Sequence, residues 1–153
     1  MFDLNRVRAS WQRESDAIDA IVQRLDEEAA RRPIRNDGWT AQDILGHIAD
    51  SARAFVKQLQ TNKPLPIGIV IDIDALNEQQ RERSQNQPWI DVIGYWTYTR
   101  DDIAGFLQAA PDDIGERPAH LPWLPSVTTA GDLLRILIVH TRNHRQELER
   151  GIT

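Results

Sequence analysis

Two histidines near the end of the chain, His140 and His144, stand four residues apart in a segment of helical periodicity. Leu133, Leu137 and Leu148 occupy the same stripe, so both imidazole rings are predicted to face the core. Positions i and i+4 of a helix have Cβ atoms about 6 Å apart, and a zinc–nitrogen bond is about 2.0–2.1 Å long. Both rings can therefore reach one divalent metal ion.

A histidine pair of this spacing also occurs by chance on exposed helix faces, so the pair alone leaves the metal and the incidental interpretations equally open. Two buried neutral rings need partners, because an unpaired buried polar atom costs about 1–3 kcal/mol. A third histidine, His47, lies one turn after Ile44, near the apolar stripe of another predicted helix. We therefore predict that His47, His140 and His144 bind one ion. His120, in a proline-rich loop, is interpreted as an ordinary loop residue.

Three acidic residues lie near the histidines in helical register or on an apolar stripe. Glu147, one turn after His144, is predicted to accept a hydrogen bond from the second ring nitrogen of a ligand; the alternative is a solvated or ion-paired side chain. Asp43, one turn before His47, is better explained as a helix cap. Glu14 interrupts the stripe of the first helix. It either approaches the site, beside a ligand or facing the substrate, or lies at an edge of the bundle.

Four long helices are predicted from apolar stripes, caps and helix breakers. Their predicted extents in chain order are 4–30, 40–62, 88–110 and 128–150. Thr40, followed three residues later by Asp43, predicts a capped start for the second helix. Gly151 is predicted to cap the end of the last one.

The connection between the second and third helices is long. Its first part, residues 64–68, reads as an extended loop because of its two prolines, and Asp72 or Asp74 is predicted to cap one short helix that runs through Arg83. The predicted fold class is therefore all-α, a four-helix bundle with a long crossover between helices two and three. We expect a single domain over residues 1–153.

Composition narrows the classes of function. The net charge is −5, and the densest basic run is Arg31–Arg32, which argues against nucleic acid as a partner. There is no cysteine, so the chain offers neither a thiolate ligand nor a thiol nucleophile. No apolar stretch approaches the roughly 18 residues of a membrane span, and the first ten residues lack the apolar core of a signal peptide. We therefore expect a cytoplasmic protein without membrane contact.

Two motifs, GWTAQDILGHIAD at residues 38–50 and HTRNH at residues 140–144, resemble those of the DinB/YfiT-like superfamily of small bacterial metal-binding bundles. A mid-chain crossover containing Asn77 also fits, and the resemblance covers nearly the whole chain in layout. It implies a four-helix bundle that forms homodimers and binds zinc or nickel through three histidines, carried here onto His47, His140 and His144. Relatives include enzymes that use low-molecular-weight thiols, among them mycothiol-dependent maleylpyruvate isomerase and bacillithiol transferases.

Three neutral ligands leave an ion its full charge and an open position, as in catalytic metal sites. The leading hypothesis is a metal-dependent enzyme that activates a small-molecule thiol or water for attack on a small electrophile, as a thiol-dependent S-transferase or a hydrolase. Any thiol would be a cosubstrate. The alternatives are a metal-dependent binding protein without turnover and a structural bundle with incidental histidines. Arg142 and Arg145 are predicted to point away from the ligand row and receive no role.

Overall fold

A computed structural model describes residues 1–62 and 70–153 of the chain. Within those residues the chain is helical, without a β-strand, and the helices follow one another as α1 (Leu4–Val22), α2 (Glu27–Ala30), α3 (Ala41–Thr61), α4 (Ile73–Gln85), α5 (Trp89–Ala109) and α6 (Ala130–Ile152). The four long helices α1, α3, α5 and α6 form the bundle, with α4 in the connection between α3 and α5. The predicted fold class is confirmed. The extended loop expected at residues 64–68 lies outside the described residues.

The bundle closes because α1 and α3 each pack against both α5 and α6. Its interior is apolar, and among the fully buried side chains are Trp11, Trp96, Ile18, Ile44, Ile48, Leu133 and Leu137. The rings of Trp11 and Trp96 contact each other at a centroid distance of 6.0 Å. Burying large side chains of this kind contributes about 1.5–3 kcal/mol each before the entropy of ordering is subtracted. The interior therefore holds the helices, and with them the histidines, in fixed positions.

The two helices that carry the histidines begin in the same way. At α3 the hydroxyl of Thr40 accepts a hydrogen bond from the backbone N–H of Asp43, and the Asp43 carboxylate accepts from the N–H of Thr40. At α6, Thr129 and Asp132 form the same reciprocal pair. Each pair satisfies two backbone donors that a helix start leaves without partners. The cap predicted from Thr40 and Asp43 is confirmed.

Two helix ends differ from the prediction. The first helix stops at Val22, and Asp26 caps the separate short helix α2 by accepting from the N–H of Ala29. Aspartate competes for backbone donors in this way, so a continuous periodic pattern is broken by a local cap. At the other end, α6 continues through Gly151. A Cβ at Gly151 would lie 2.6 Å from the side chain of Ile34, so this glycine provides a close packing contact instead of ending the helix.

Candidate metal centre

The structure brings His47 of α3 together with His140 and His144 of α6. The Nε2 atom of His140 lies 3.2 Å from Nε2 of His47 and 3.2 Å from Nε2 of His144. The candidate ligand atoms of all three residues lie within 4.8 Å of one another. Three imidazoles from two helices therefore point the same type of nitrogen at one small volume.

The outer nitrogens of two of these rings are occupied by hydrogen bonds. Nδ1 of His144 lies 2.8 Å from a carboxylate oxygen of Glu147, which can only accept, so Nδ1 carries the proton. Nδ1 of His47 lies 3.1 Å from the amide oxygen Oε1 of Gln80, which accepts in the same way. With Nδ1 protonated, the neutral form of each of these two rings presents an unprotonated Nε2 to the centre.

This arrangement leaves one contact unsatisfied unless a cation is present. A single proton on Nε2 of His140 can be donated well toward only one of the two lone pairs that face it, on His47 and His144. A cation satisfies all three lone pairs. Nitrogens that each lie about 2.1 Å from a tetrahedral ion are about 3.4 Å apart, close to the two separations of 3.2 Å that involve His140. The three residues therefore fit a divalent ion.

Burial keeps His47 and His140 neutral. It lowers the pKa of His47 to about 4, with the neighbouring His144 adding to the effect. Burial also lowers the pKa of His140 to about 3, again with contributions from the neighbouring rings. Only a neutral imidazole can act as a ligand. At neutral pH protons therefore compete little for the nitrogens of these two rings.

Two aromatic side chains pack against two of the three histidines. Trp39 meets the ring of His47 edge-on at 5.6 Å, and Phe55 meets the ring of His140 in the same geometry at 5.6 Å. The guanidinium of Arg35 lies over the ring of Trp39 at 4.9 Å, and one of its nitrogens is 3.5 Å from Glu147. The centre thus has apolar walls with one cationic group next to Glu147.

The partners of Glu14 in the structure are two arginines of α6. The Glu14 carboxylate accepts from Nε of Arg142 at 3.0 Å and from Nε of Arg145 at 2.5 Å. Burial alone would raise the pKa of Glu14, but the hydrogen bonds from these arginines outweigh it and lower the pKa. Since Arg142 is two residues from His140, it points about 200° around the helix from it. Glu14 therefore joins α1 to α6, and we assign it no role at the metal centre.

The prediction that Arg142 and Arg145 have no role was therefore incomplete. Both hold the buried Glu14. Gln80 was missed altogether at the sequence level. It lies in the crossover, 33 residues from His47, in a helix with a thin apolar face. No local signal marks Gln80, because its burial in this otherwise polar helix arises only when α4 packs on α3.

Two further findings concern membrane-spanning helices and the family of the chain. Among residues 1–62 and 70–153, no helix combines the length and the apolar character needed to span a bilayer. A family model for the DinB superfamily matches residues 10–148. The search of curated proteins found no match.

Two solved structures share the fold. The colibactin self-resistance protein ClbS, crystallised in complex with double-stranded DNA, superposes with a TM-score of 0.77 at 7% identity over 99% of this chain and 96% of that one. YfiT from Bacillus subtilis, described as a probable metal-dependent hydrolase with an unusual four-helix bundle topology, superposes with a TM-score of 0.74. The identity to YfiT is 16%, over 95% of this chain and 83% of the other. At these identities the similarity shows a shared fold.

The exclusion of nucleic acid as a partner was wrong. It was based on the net charge of −5 and the lack of a dense basic run. A protein of the same fold, ClbS, is nevertheless bound to double-stranded DNA in its crystal structure. DNA contacts depend on where individual cationic side chains lie on the surface, and the net charge of the whole chain does not show their positions.

Proposed function

This chain belongs to the DinB superfamily, and from that membership and the geometry of its histidines we propose that it is a metal-dependent enzyme acting on a small molecule. The observation that carries the proposal is the convergence of three Nε2 atoms, from His47, His140 and His144, on one point. All three ligands are neutral in the proposed complex. Three protein ligands leave at least one coordination position open for water or substrate, as in catalytic sites.

We propose zinc or nickel as the ion, since imidazole suits both. When bound, it would lower the pKa of a coordinated water to about 7 or hold a thiol as its thiolate. The description of YfiT as a probable metal-dependent hydrolase supports water as the nucleophile. A thiol would have to be a low-molecular-weight cosubstrate, because the chain contains no cysteine.

The surrounding side chains hold the histidine rings in the orientation that metal binding requires. Gln80 and Glu147 accept from the outer nitrogens of His47 and His144, so each ring keeps its Nε2 lone pair directed inward. Trp39 and Phe55 limit the access of water to the rings they contact. A pre-arranged, partly dry site of this kind strengthens electrostatic stabilisation of a developing charge.

The test measures metal content and turnover together. Wild-type protein should contain or take up one equivalent of divalent ion, and His140→Ala should not, whereas His120→Ala, in an exposed loop, should behave like wild type. Ester, amide and thiol-transfer substrates are then screened with and without a chelator. Absence of stoichiometric metal from the wild-type protein would contradict the proposal. Tight metal binding without chelator-sensitive turnover would favour the alternative, a non-catalytic metal- or ligand-binding protein.

A second candidate function is action at DNA. It rests on one observation, that ClbS was crystallised with double-stranded DNA and shares this fold. Fluorescence anisotropy with a labelled duplex at two salt concentrations tests it, because contacts to phosphates weaken steeply as salt rises. No binding at low salt would remove this candidate and leave the metal-centre proposal intact.

A further inference from the structure

Helix α4 of the crossover approaches α3 unusually closely beside a candidate ligand. A Cβ atom placed on Gly46 would lie 2.0 Å from Oγ and 2.9 Å from Cβ of Ser84. A side chain at this position would force Ser84 to move. Gly46 directly precedes His47, so this close contact of α4 with α3 lies one residue from a candidate ligand.

Polar contacts, more than apolar burial, hold α4 in this position. The buried residues of α4 are Gln80 and Ser84, and both are polar. The amide nitrogen of Gln42 donates to the backbone carbonyls of Ser84 at 2.6 Å and Gln87 at 2.8 Å. Nε of Arg81, the residue after Gln80, lies 3.4 Å from a carboxylate oxygen of Asp43 in α3. A helix held by a few directional contacts depends strongly on each of them.

Gln80 is the residue of α4 that reaches a candidate ligand. Its side chain is 7% exposed, and its Oε1 accepts from Nδ1 of His47 at 3.1 Å. Such a bond selects the tautomer of His47 that keeps Nε2 unprotonated, and it fixes the orientation of the ring. Without it, Nδ1 would be a buried donor lacking this acceptor.

We propose that Gln80 is a positioning residue of the metal centre, and that through it the crossover helix α4 docks more tightly when the ion is bound. The metal half of this inference rests on the proposed function. The coupling is reciprocal: if docked α4 favours the ion, the ion favours docked α4 by the same factor. The crossover then helps to orient a metal ligand in addition to connecting α3 and α5.

The first experiment compares three variants. Gln80→Met keeps the length of the side chain and removes the amide acceptor. Gln79→Met makes the same change at the neighbouring, exposed position, and Gln80→Glu restores an acceptor oxygen. Zinc affinity is measured by competition with a chromophoric chelator, with circular dichroism to establish that each variant is folded. We expect Gln80→Met to bind zinc about 10- to 100-fold more weakly, and the other two variants to remain close to wild type.

The second experiment measures how tightly α4 is docked. Hydrogen exchange of the amides in residues 73–85 is measured with and without zinc. In wild-type protein and in Gln79→Met, zinc should slow this exchange, while in Gln80→Met the effect of zinc should be largely lost. Exchange in α5, which carries none of the three histidines, serves as the internal reference. A purely structural role for Gln80 would change exchange equally with and without the ion.

A third measurement separates this inference from the proposed function. In metal-free protein, ¹⁵N NMR of the histidine rings should show His47 protonated at Nδ1, and Gln80→Met should lose this preference. If wild-type protein binds no ion, the proposed function fails, and an unchanged tautomer in Gln80→Met would overturn the role of Gln80 as well. If the ion binds, equal zinc affinity in Gln80→Met and Gln79→Met overturns the inference while the proposed function stands.

Discussion

Nδ1 of His144 lies 2.8 Å from Oε2 of Glu147, one turn further along the same helix. Because a carboxylate accepts and does not donate, this contact determines that the proton of His144 sits on Nδ1 and the lone pair on Nε2. The same carboxylate lies 3.5 Å from the guanidinium of Arg35, outside the helix. Glu147 thus connects the orientation of one candidate ligand to a cationic side chain beside the site.

Removing Glu147 should weaken metal binding without unfolding the protein. In Glu147→Ala, Nδ1 of His144 loses its carboxylate partner, and the loss of such a partner costs about 10- to 100-fold in metal affinity. Competition with a chromophoric chelator measures the change. Gln146→Ala, at an exposed neighbouring position, is the control. Equal zinc affinity in the two variants would show that Glu147 acts only as a surface ion-pair partner.

Replacing Glu14 should affect stability and leave metal binding nearly unchanged. Glu14→Gln keeps the shape of the side chain but removes the charge that faces Arg142 and Arg145. Hydrogen bonds between charged groups contribute about 1.5–3 kcal/mol, and the partial exposure of Arg142 reduces the figure. We therefore expect the free energy of unfolding to fall by about 1–2 kcal/mol in urea titrations. A loss of zinc affinity with unchanged stability would instead place Glu14 at the metal centre.

Acid should destabilise the metal-free protein before most carboxylates titrate. The pKa of His47 is about 4 and that of His140 about 3 in the folded state, against about 6.5 in the unfolded chain. Below pH 6.5 the unfolded state therefore binds more protons, so stability is full above that pH and falls as pH decreases toward 4. The slope is at most about 1.4 kcal/mol per pH unit for each histidine. Urea titrations at pH 7.5, 6 and 5 measure it, and His140→Ala should show a shallower dependence.

Adding one methyl group at Gly46 should be costly, because Ser84 occupies the space. We expect Gly46→Ala to lower the free energy of unfolding by about 1–3 kcal/mol through overpacking and to weaken zinc binding by displacing α4. Gly94→Ala is the matched control, since nothing lies within 4 Å of a Cβ at this exposed position of α5. There alanine should stabilise the helix by about 0.5–1 kcal/mol. Equal stability of the two variants would contradict the close approach of α4.

The helices were predictable because their signals are local. Apolar stripes, the capping pair of Thr40 and Asp43, and the four-residue spacing of His140 and His144 depend only on helix geometry. The end of α1 at Val22 was missed because the apolar period continues past it. The structure instead ends α1 there, and Asp26 caps the start of the separate helix α2. Periodicity alone does not report such competition between a side chain and the helix.

The sequence by itself indicated the all-helical class, the crossover and the grouping of His47, His140 and His144, of which the last two are partly buried. Only the tertiary structure decided what those histidines touch: Gln80 is 33 residues from His47, and Glu14 is 128 residues from Arg142. Spacing along a helix specifies which residues share a face. Contacts between helices depend on how closely and at what angle the helices pack, and here Gly46 leaves the space that Ser84 of α4 occupies.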